Sequence, residues 1–224
     1  MAEAELLPAA QDYRFLLGKG YPWQASLALV GNRYNLPGPA RQILHRGVFN
    51  PTVAAQRRRK LCLVRNLAGR PLALDGHNVV ITLESALRGI PVMAADDGFI
   101  RDIGQVSHRF RFTPLTEQVL QRLSYYLTTH SIGPVMFWYD APMSHSGELA
   151  AATRRILQAF QLNGDAQAVP VPEKQLLKFP EVIGSSDTYL IDRSEQVADV
   201  AGEIIRQLPQ VQIIALAGEE AAAP

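Results

Sequence analysis

Four apolar runs of this chain close on aspartate: Leu72-Ala73-Leu74-Asp75, Val92-Met93-Ala94-Ala95 ahead of Asp96 and Asp97, Val135-Met136-Phe137-Trp138-Tyr139-Asp140, and Val182-Ile183-Gly184 ahead of Ser185-Ser186-Asp187. An apolar run with a carboxylate at its end reads as a buried strand whose C-terminal tip carries an acid, the place where open α/β sheets build ligand sites. Parallel strands share one such edge, so acids far apart in sequence can meet there. Clustered carboxylates repel one another and stay ionised only beside a cation. Their hard oxygens select Mg²⁺ or Mn²⁺, ions that keep positions for water and phosphate oxygens. The chemistry implied is attack of an activated water on a phosphodiester. Candidate ligands are Asp75, Asp97, Asp140 and Asp187. One such aspartate alone would be a helix cap or a turn residue; four together favour a site.

The neighbours of these acids are polar. Asn78 lies three residues past Asp75 and would project to the same side from the first turn of a helix, able to hold the carboxylate or a phosphate. In Asp140-Ala141-Pro142-Met143-Ser144-His145-Ser146-Gly147-Glu148, Ser146 is placed to cap the following helix, and Ser144 and Ser146 to receive a phosphate at its amide groups. Ser185 and Ser186 have the same character. His77 reads as a polar loop residue. No Walker A pattern, Gly-rich dinucleotide fingerprint, His-Glu-x-x-His or Gly-x-Ser-x-Gly elbow is present, which demotes nucleotide-cofactor, zinc-protease and esterase chemistry.

The elements that must position these residues fall into two parts. Residues 11–63 are helical in pattern and broken by Gly and Pro, with helices expected over 22–32, up to about Gly47, and from Asn50-Pro51 through Arg57, Arg58, Arg59 and Lys60. From Pro71 onward strands and helices alternate: strands at 72–75, 91–95, 134–139, 166–172, 181–184 and 211–216, helices at 79–88, 115–129, 146–162 and 194–208. That alternation predicts an α/β fold with a mostly parallel sheet and helices on both faces, preceded by a small all-α module. The division is 1–70 for the helical module, 71–218 for the α/β domain and 219–224 for a mobile tail.

Charge follows the same division. Residues 1–70 hold eleven Lys and Arg against three acids, a balance of +8, so the remainder of a chain with net charge +1 stands at −7. A basic surface next to an acidic site suits a polyanion, with Arg41, Arg46, Arg57, Arg58, Arg59 and Lys60 as contacts. The plainer alternative is that the two halves attract each other. One cysteine, Cys62, excludes an internal disulfide and a thiolate zinc cage. No secretory leader pattern and no apolar run of the ~20 residues that a membrane span needs is present, so a cytoplasmic protein is expected.

Asp75-Gly76-His77-Asn78-Val79-Val80 resembles the opening Asp-Gly-Tyr-Asn motif of the NYN branch of the PIN-like nucleases, with His77 where an aromatic is usual. Val182-Ile183-Gly184-Ser185-Ser186-Asp187 is similar to that superfamily's later strand ending in Ser-x-Asp. The chain from Tyr13 to about Ile205 also resembles an uncharacterised prokaryotic family known only as a domain of unknown function. That family likewise sets a basic helical module before such a domain, with Asp-Asp-Gly-Phe, Asp-x-Pro-x-Ser-x-Ser-Gly-Glu and Ser-Asp motifs. The nuclease resemblance implies a three-layer α/β fold and Mg²⁺- or Mn²⁺-dependent RNA cleavage, with Asp75, Asp140 and Asp187 as ligands and Asn78 in support. The expected function is therefore a metal-dependent ribonuclease. The alternative is a non-catalytic RNA- or ribosome-associated protein with a degenerate domain, and a small-ester phosphatase and a DNA-binding regulator stand behind these.

Overall fold

In a computed structural model the chain is described over residues 3–104 and 110–216. Four helices come first: α1 (Glu3–Gly18), α2 (Trp23–Arg33), α3 (Gly38–Gly47) and α4 (Pro51–Lys60). Where an irregular end was expected over the first ten residues, α1 is already helical from Glu3. Asn50 caps α4, its side chain accepting from the Thr52 amide at 2.9 Å, with Pro51 in the first turn. That pairing fixes a helix start as the sequence implied. The expected tail at 219–224 lies outside the described residues.

The α/β part contains β1 (Leu61–Cys62), β2 (Leu72–Asp75), α5 (Gly76–Leu87), β3 (Val92–Ala94), β4 (Ile100–Asp102), α6 (Pro114–Thr129), β5 (Val135–Asp140), α7 (Ser146–Ala159), β6 (Gly164–Val169), α8 (Pro172–Leu176), β7 (Val182–Gly184), α9 (Thr188–Arg193), β8 (Val197–Ala198), α10 (Val200–Ile205) and β9 (Ile213–Ala215). Six strands form a sheet in the order β1-β8-β7-β2-β5-β6, every pair parallel. Side chains alternate across it. Leu72, Leu74, Val135, Phe137 and Tyr139 share one core with residues of α5, α6, α7 and α10. Ala73, Ile183 and Val197 meet α8 and α9 on the other face. The result is a three-layer α/β domain whose strands are covered on both sides, which is why β2 and β7 are apolar along almost their whole length.

Two expectations are corrected here. The single helix expected over 194–208 is instead α10 alone, preceded by the strand β8; Asp199 caps that helix through the Gly202 amide at 3.0 Å. The strand-like run at 91–95 is β3, but it lies in a separate three-stranded sheet, β4-β3-β9. The helical module packs on that small sheet: Met93 and Leu216 are buried with Tyr13, Val30, Leu44 and Val48 in one core.

A close approach makes Gly76 obligatory. A Cβ there would overlap the Tyr139 ring, and that ring is held by a 2.7 Å hydrogen bond between the Tyr139 and Thr153 hydroxyls. Gly76→Ala is expected to destabilise by about 1–3 kcal/mol, the usual range for overpacking. Thermal unfolding checks it; an unchanged melting temperature would show that α5 can shift away from β5 without cost.

Candidate functional site

Strand order locates the edge of interest. From β2 the sheet grows through β5 and β6 in one direction, whereas β7 and β8 lie on the other side of β2. Connections leave in opposite directions from this point, and the crevice outside the strand C-termini at such a switch point is where open α/β sheets bind ligands. Asp75 ends β2, Asp140 ends β5, and Asp187 follows β7 by three residues. The structure thus brings three of the predicted acids to one edge.

Asp75 is partly buried and doubly held. Its Oδ1 accepts from the Asn78 amide at 3.4 Å and its Oδ2 accepts from the Ser185 hydroxyl at 2.9 Å. Burial pushes its carboxyl up to about 7, against those two hydrogen bonds, and the nearby Asp187 and Glu173 carboxylates push the same way. Asp140 is likewise raised, by burial and by Glu173. Glu173, in the first turn of α8, is the member of this group that sequence reasoning missed. The signal was an acid just past Val171-Pro172, at the end of a run read wholly as strand. Among the described residues, none of Asp75, Asp140, Glu173 and Asp187 forms an ion pair with a Lys, Arg or His.

The polar neighbours act as fasteners. Asn78 Oδ1 accepts from the Ser186 amide at 2.9 Å and from its hydroxyl at 3.1 Å, so Asn78 holds the β7–α9 loop and leaves Asp75 to Ser185. Ser185 Oγ also accepts from the Asp187 amide at 3.1 Å. Both serines are buried, which suits positioning better than receiving a phosphate. Asp187 caps α9 through the Tyr189 and Leu190 amides at 2.8 and 3.2 Å. Ser146 does not cap α7: it is turned inward, donating to the Asp140 and Met143 carbonyls at 2.6 Å each. That leaves exposed Ser144 as the one serine of the segment open to a ligand.

His77 is buried, not a loop residue. Its Nδ1 accepts the Asp140 amide proton at 3.0 Å, which places the ring proton on Nε2, an atom with no partner among the described residues. Phe110 and Tyr139 meet the ring edge-on. Burial lowers the imidazole to about 4. Because the folded value lies below the ordinary 6.5, the unfolded chain takes up the proton first, and about 3 kcal/mol of stability is lost as pH falls from 6.5 to 4. Asp75 works in the opposite direction over this range, so ring NMR rather than melting isolates the effect. The His77 ring signals are expected to titrate near pH 4; a midpoint near 6.5 would contradict the burial account.

Asp97 is not at the edge. It is fully buried, bound in bidentate fashion by Arg101 at 2.7 and 2.8 Å, with Arg57 at 3.5 Å. With both oxygens committed to guanidinium groups it has none to offer a metal. Most of the predicted polyanion contacts are likewise spent inside the molecule. Arg57 pairs with Asp192, Lys60 donates to the Ile191 and Asp192 carbonyls, Arg58 reaches the Asp96 carbonyl, and Arg46 pairs with Asp102. Arg41 bonds to Leu36 and Asn32 within the module. Arg59 is exposed. The charge asymmetry thus reflects two halves that attract each other, Arg14–Asp96 adding a further pair at 2.7 Å.

Among the described residues no three His, Cys, Asp or Glu side chains are disposed to hold a metal as they stand. Mg²⁺ is commonly held by only one or two carboxylates, with waters and substrate phosphates completing its shell; Asp75, Asp140, Glu173 and Asp187 are the residues at this edge that could offer such oxygens. Among the described residues no helix is long and apolar enough to cross a membrane.

Comparison with known proteins adds lineage without chemistry. A family described as Domain of unknown function (DUF5616) matches residues 64–203, and one described as Protein of unknown function (DUF434) matches residues 5–60. The uncharacterized protein MJ0935 of Methanocaldococcus jannaschii is 28% identical over 202 residues, covering 89% of this chain and 96% of that protein. No solved structure matches.

Proposed function

The chain belongs to the DUF5616 family, and we propose that it is a divalent-metal-dependent phosphodiester hydrolase with RNA as its substrate class. One observation carries the reading: Asp75, Asp140, Glu173 and Asp187 gather at the switch point of a parallel sheet with, among the described residues, no cationic side chain paired to them. Asp75 and Asp187 would hold the ion, with Asp140 and Glu173 reaching it directly or through water. When bound, Mg²⁺ or Mn²⁺ supplies Lewis acidity toward a phosphoryl oxygen and makes a water acidic enough to attack. The chain's own residues do the rest. Ser185 orients the Asp75 carboxylate, Asn78 fixes the loop that carries Asp187, and His77 holds the Asp140 backbone. RNA as substrate rests on the resemblance of the Asp75-Gly76-His77-Asn78 and Ser185-Ser186-Asp187 segments to the NYN nucleases.

A second reading is favoured by the absence of a ready three-donor group among the described residues: an RNA-associated protein that keeps the edge without catalysis. Calorimetric titration of the full chain with Mn²⁺ tests the metal reading. Binding that is abolished in Asp187→Asn supports it. No heat of binding from the wild type contradicts it.

A further inference from the structure

The loop at residues 185–187 is tied on two sides. Toward β2 and α5 it is fastened by Ser185 to Asp75 and by Ser186 to Asn78. On its other side the Ser186 carbonyl accepts from Arg101 Nε at 2.9 Å. Arg101 in turn is clamped by Asp97 through both of its terminal nitrogens, and Arg57 of α4 reaches the same carboxylate. Phe49, between α3 and α4, lies 4.6 Å from the Arg57 guanidinium carbon and 5.3 Å from that of Arg101. The far end of α9 is clasped as well. Arg57 binds Asp192 in bidentate fashion at 2.7 and 2.8 Å, and Lys60 Nζ donates to the last carbonyls of the helix at 2.8 and 2.7 Å. A cation at a helix C-terminus is favourably placed against the helix dipole.

We propose that the helical module sets the geometry of the acidic edge, with Arg101 as the positioning residue that transmits it from Arg57 and Asp97 to the Ser186 carbonyl and so to Asp187. The inference rests on the reading of that edge as the reacting site. Two guanidinium groups and two carboxylates, Arg57, Arg101, Asp97 and Asp192, balance in charge. A planar fork is needed because Arg101 must grip Asp97 and Ser186 together; a lysine ammonium is a point charge that can keep the first contact while losing the second. The arrangement also gives Arg57 and Lys60 a purpose that needs no nucleic acid: they hold the site's loop and the helix after it from behind.

The test uses the full chain and two variants, Arg101→Lys and Asp192→Asn. Asp192 is substantially exposed, so its loss leaves the fold intact should Arg101→Lys fail to fold. Amide hydrogen exchange is expected to quicken by about tenfold or more at Ser186 and Asp187 while Leu74 and Phe137 in β2 and β5 keep their wild-type protection, because the loop opens locally. Mn²⁺ affinity is expected to fall by about 10–100-fold, the usual cost of losing a group that orients a ligand. Unchanged exchange at both loop amides, uniform acceleration throughout the chain, or a loosened loop with unaltered Mn²⁺ affinity would overturn the proposal. If the wild type takes up no Mn²⁺, the metal reading of the edge fails separately, and the loop exchange alone decides whether Arg101 and α4 hold it.

Discussion

Asp97→Ala is expected to destabilise the protein by about 3–5 kcal/mol, the penalty for breaking a buried ion pair by removing one partner. Asp97 has no exposed surface, and Arg101 is 3% exposed and Arg57 7% exposed. Removing the carboxylate leaves Arg101 with no other ion partner among the described residues in a buried setting, while Arg57 keeps Asp192. For a chain of this size that corresponds to a fall of roughly 6–20 °C in melting temperature. The direction separates two accounts. A metal ligand in a crowded acidic cluster relieves repulsion when it is removed, so the metal-free protein would become more stable. Thermal unfolding in the presence of a chelator distinguishes them: a lowered melting temperature supports the ion-pair account, and an unchanged or raised one refutes it.

Asp75→Asn is expected to act in the other sense, losing function while gaining stability. An amide keeps one acceptor oxygen, enough for the cap on α5, since Asn serves at such positions as well as Asp, and its NH2 can donate to the Ser185 hydroxyl oxygen in place of accepting from it. It cannot supply the charge an ion requires, so hydrolysis is expected to fall more than about 100-fold, beyond the loss typical of groups that only orient a ligand. Stability follows from linkage. The Asp75 carboxyl stands at about 7, raised by burial and by Asp187 and Glu173, against an ordinary 3.8. A carboxyl raised on folding holds its proton longer in the folded state, so wild-type stability declines as pH rises from 4 through 7. The full shift corresponds to about 4 kcal/mol, reduced by solvent screening at a partly exposed site. Metal-free melting curves of wild type and variant should meet near pH 4, with the variant more stable at pH 8. Curves that run parallel across this range would show that Asp75 is not crowded by its neighbours.

The two variants mark how far the sequence alone could reach. Asp75, Asp140 and Asp187 were legible because each follows an apolar run that becomes a parallel strand of one sheet, and such strands share a C-terminal edge. Asp97 follows a run of the same grammar, Val92-Met93-Ala94-Ala95, but β3 belongs to the smaller sheet. Local pattern reports that a strand exists and says nothing of which sheet it joins. The basic residues of α4 posed a similar problem. A charge excess looks the same whether its partners are phosphates in solution or aspartates across an interface, and Asp192 lies 135 residues from Arg57. Arg101 did carry a signal, its spacing of four from Asp97, but that spacing is usually read for helices and here it spans a turn into β4. Glu173 was hidden because Pro172 begins a short helix rather than ending a strand.

The measurement that bears most directly on the central claim is a cleavage assay on labelled single-stranded and structured RNA. Wild type, Asp75→Asn and Asp187→Asn would be compared with Mn²⁺, with Mg²⁺ and with chelator. The account predicts cleavage by the wild type only when a divalent ion is present, and none by either variant although both fold. Wild-type protein that leaves both RNAs intact with either ion, or cleavage that persists in chelator or in Asp75→Asn, would contradict it.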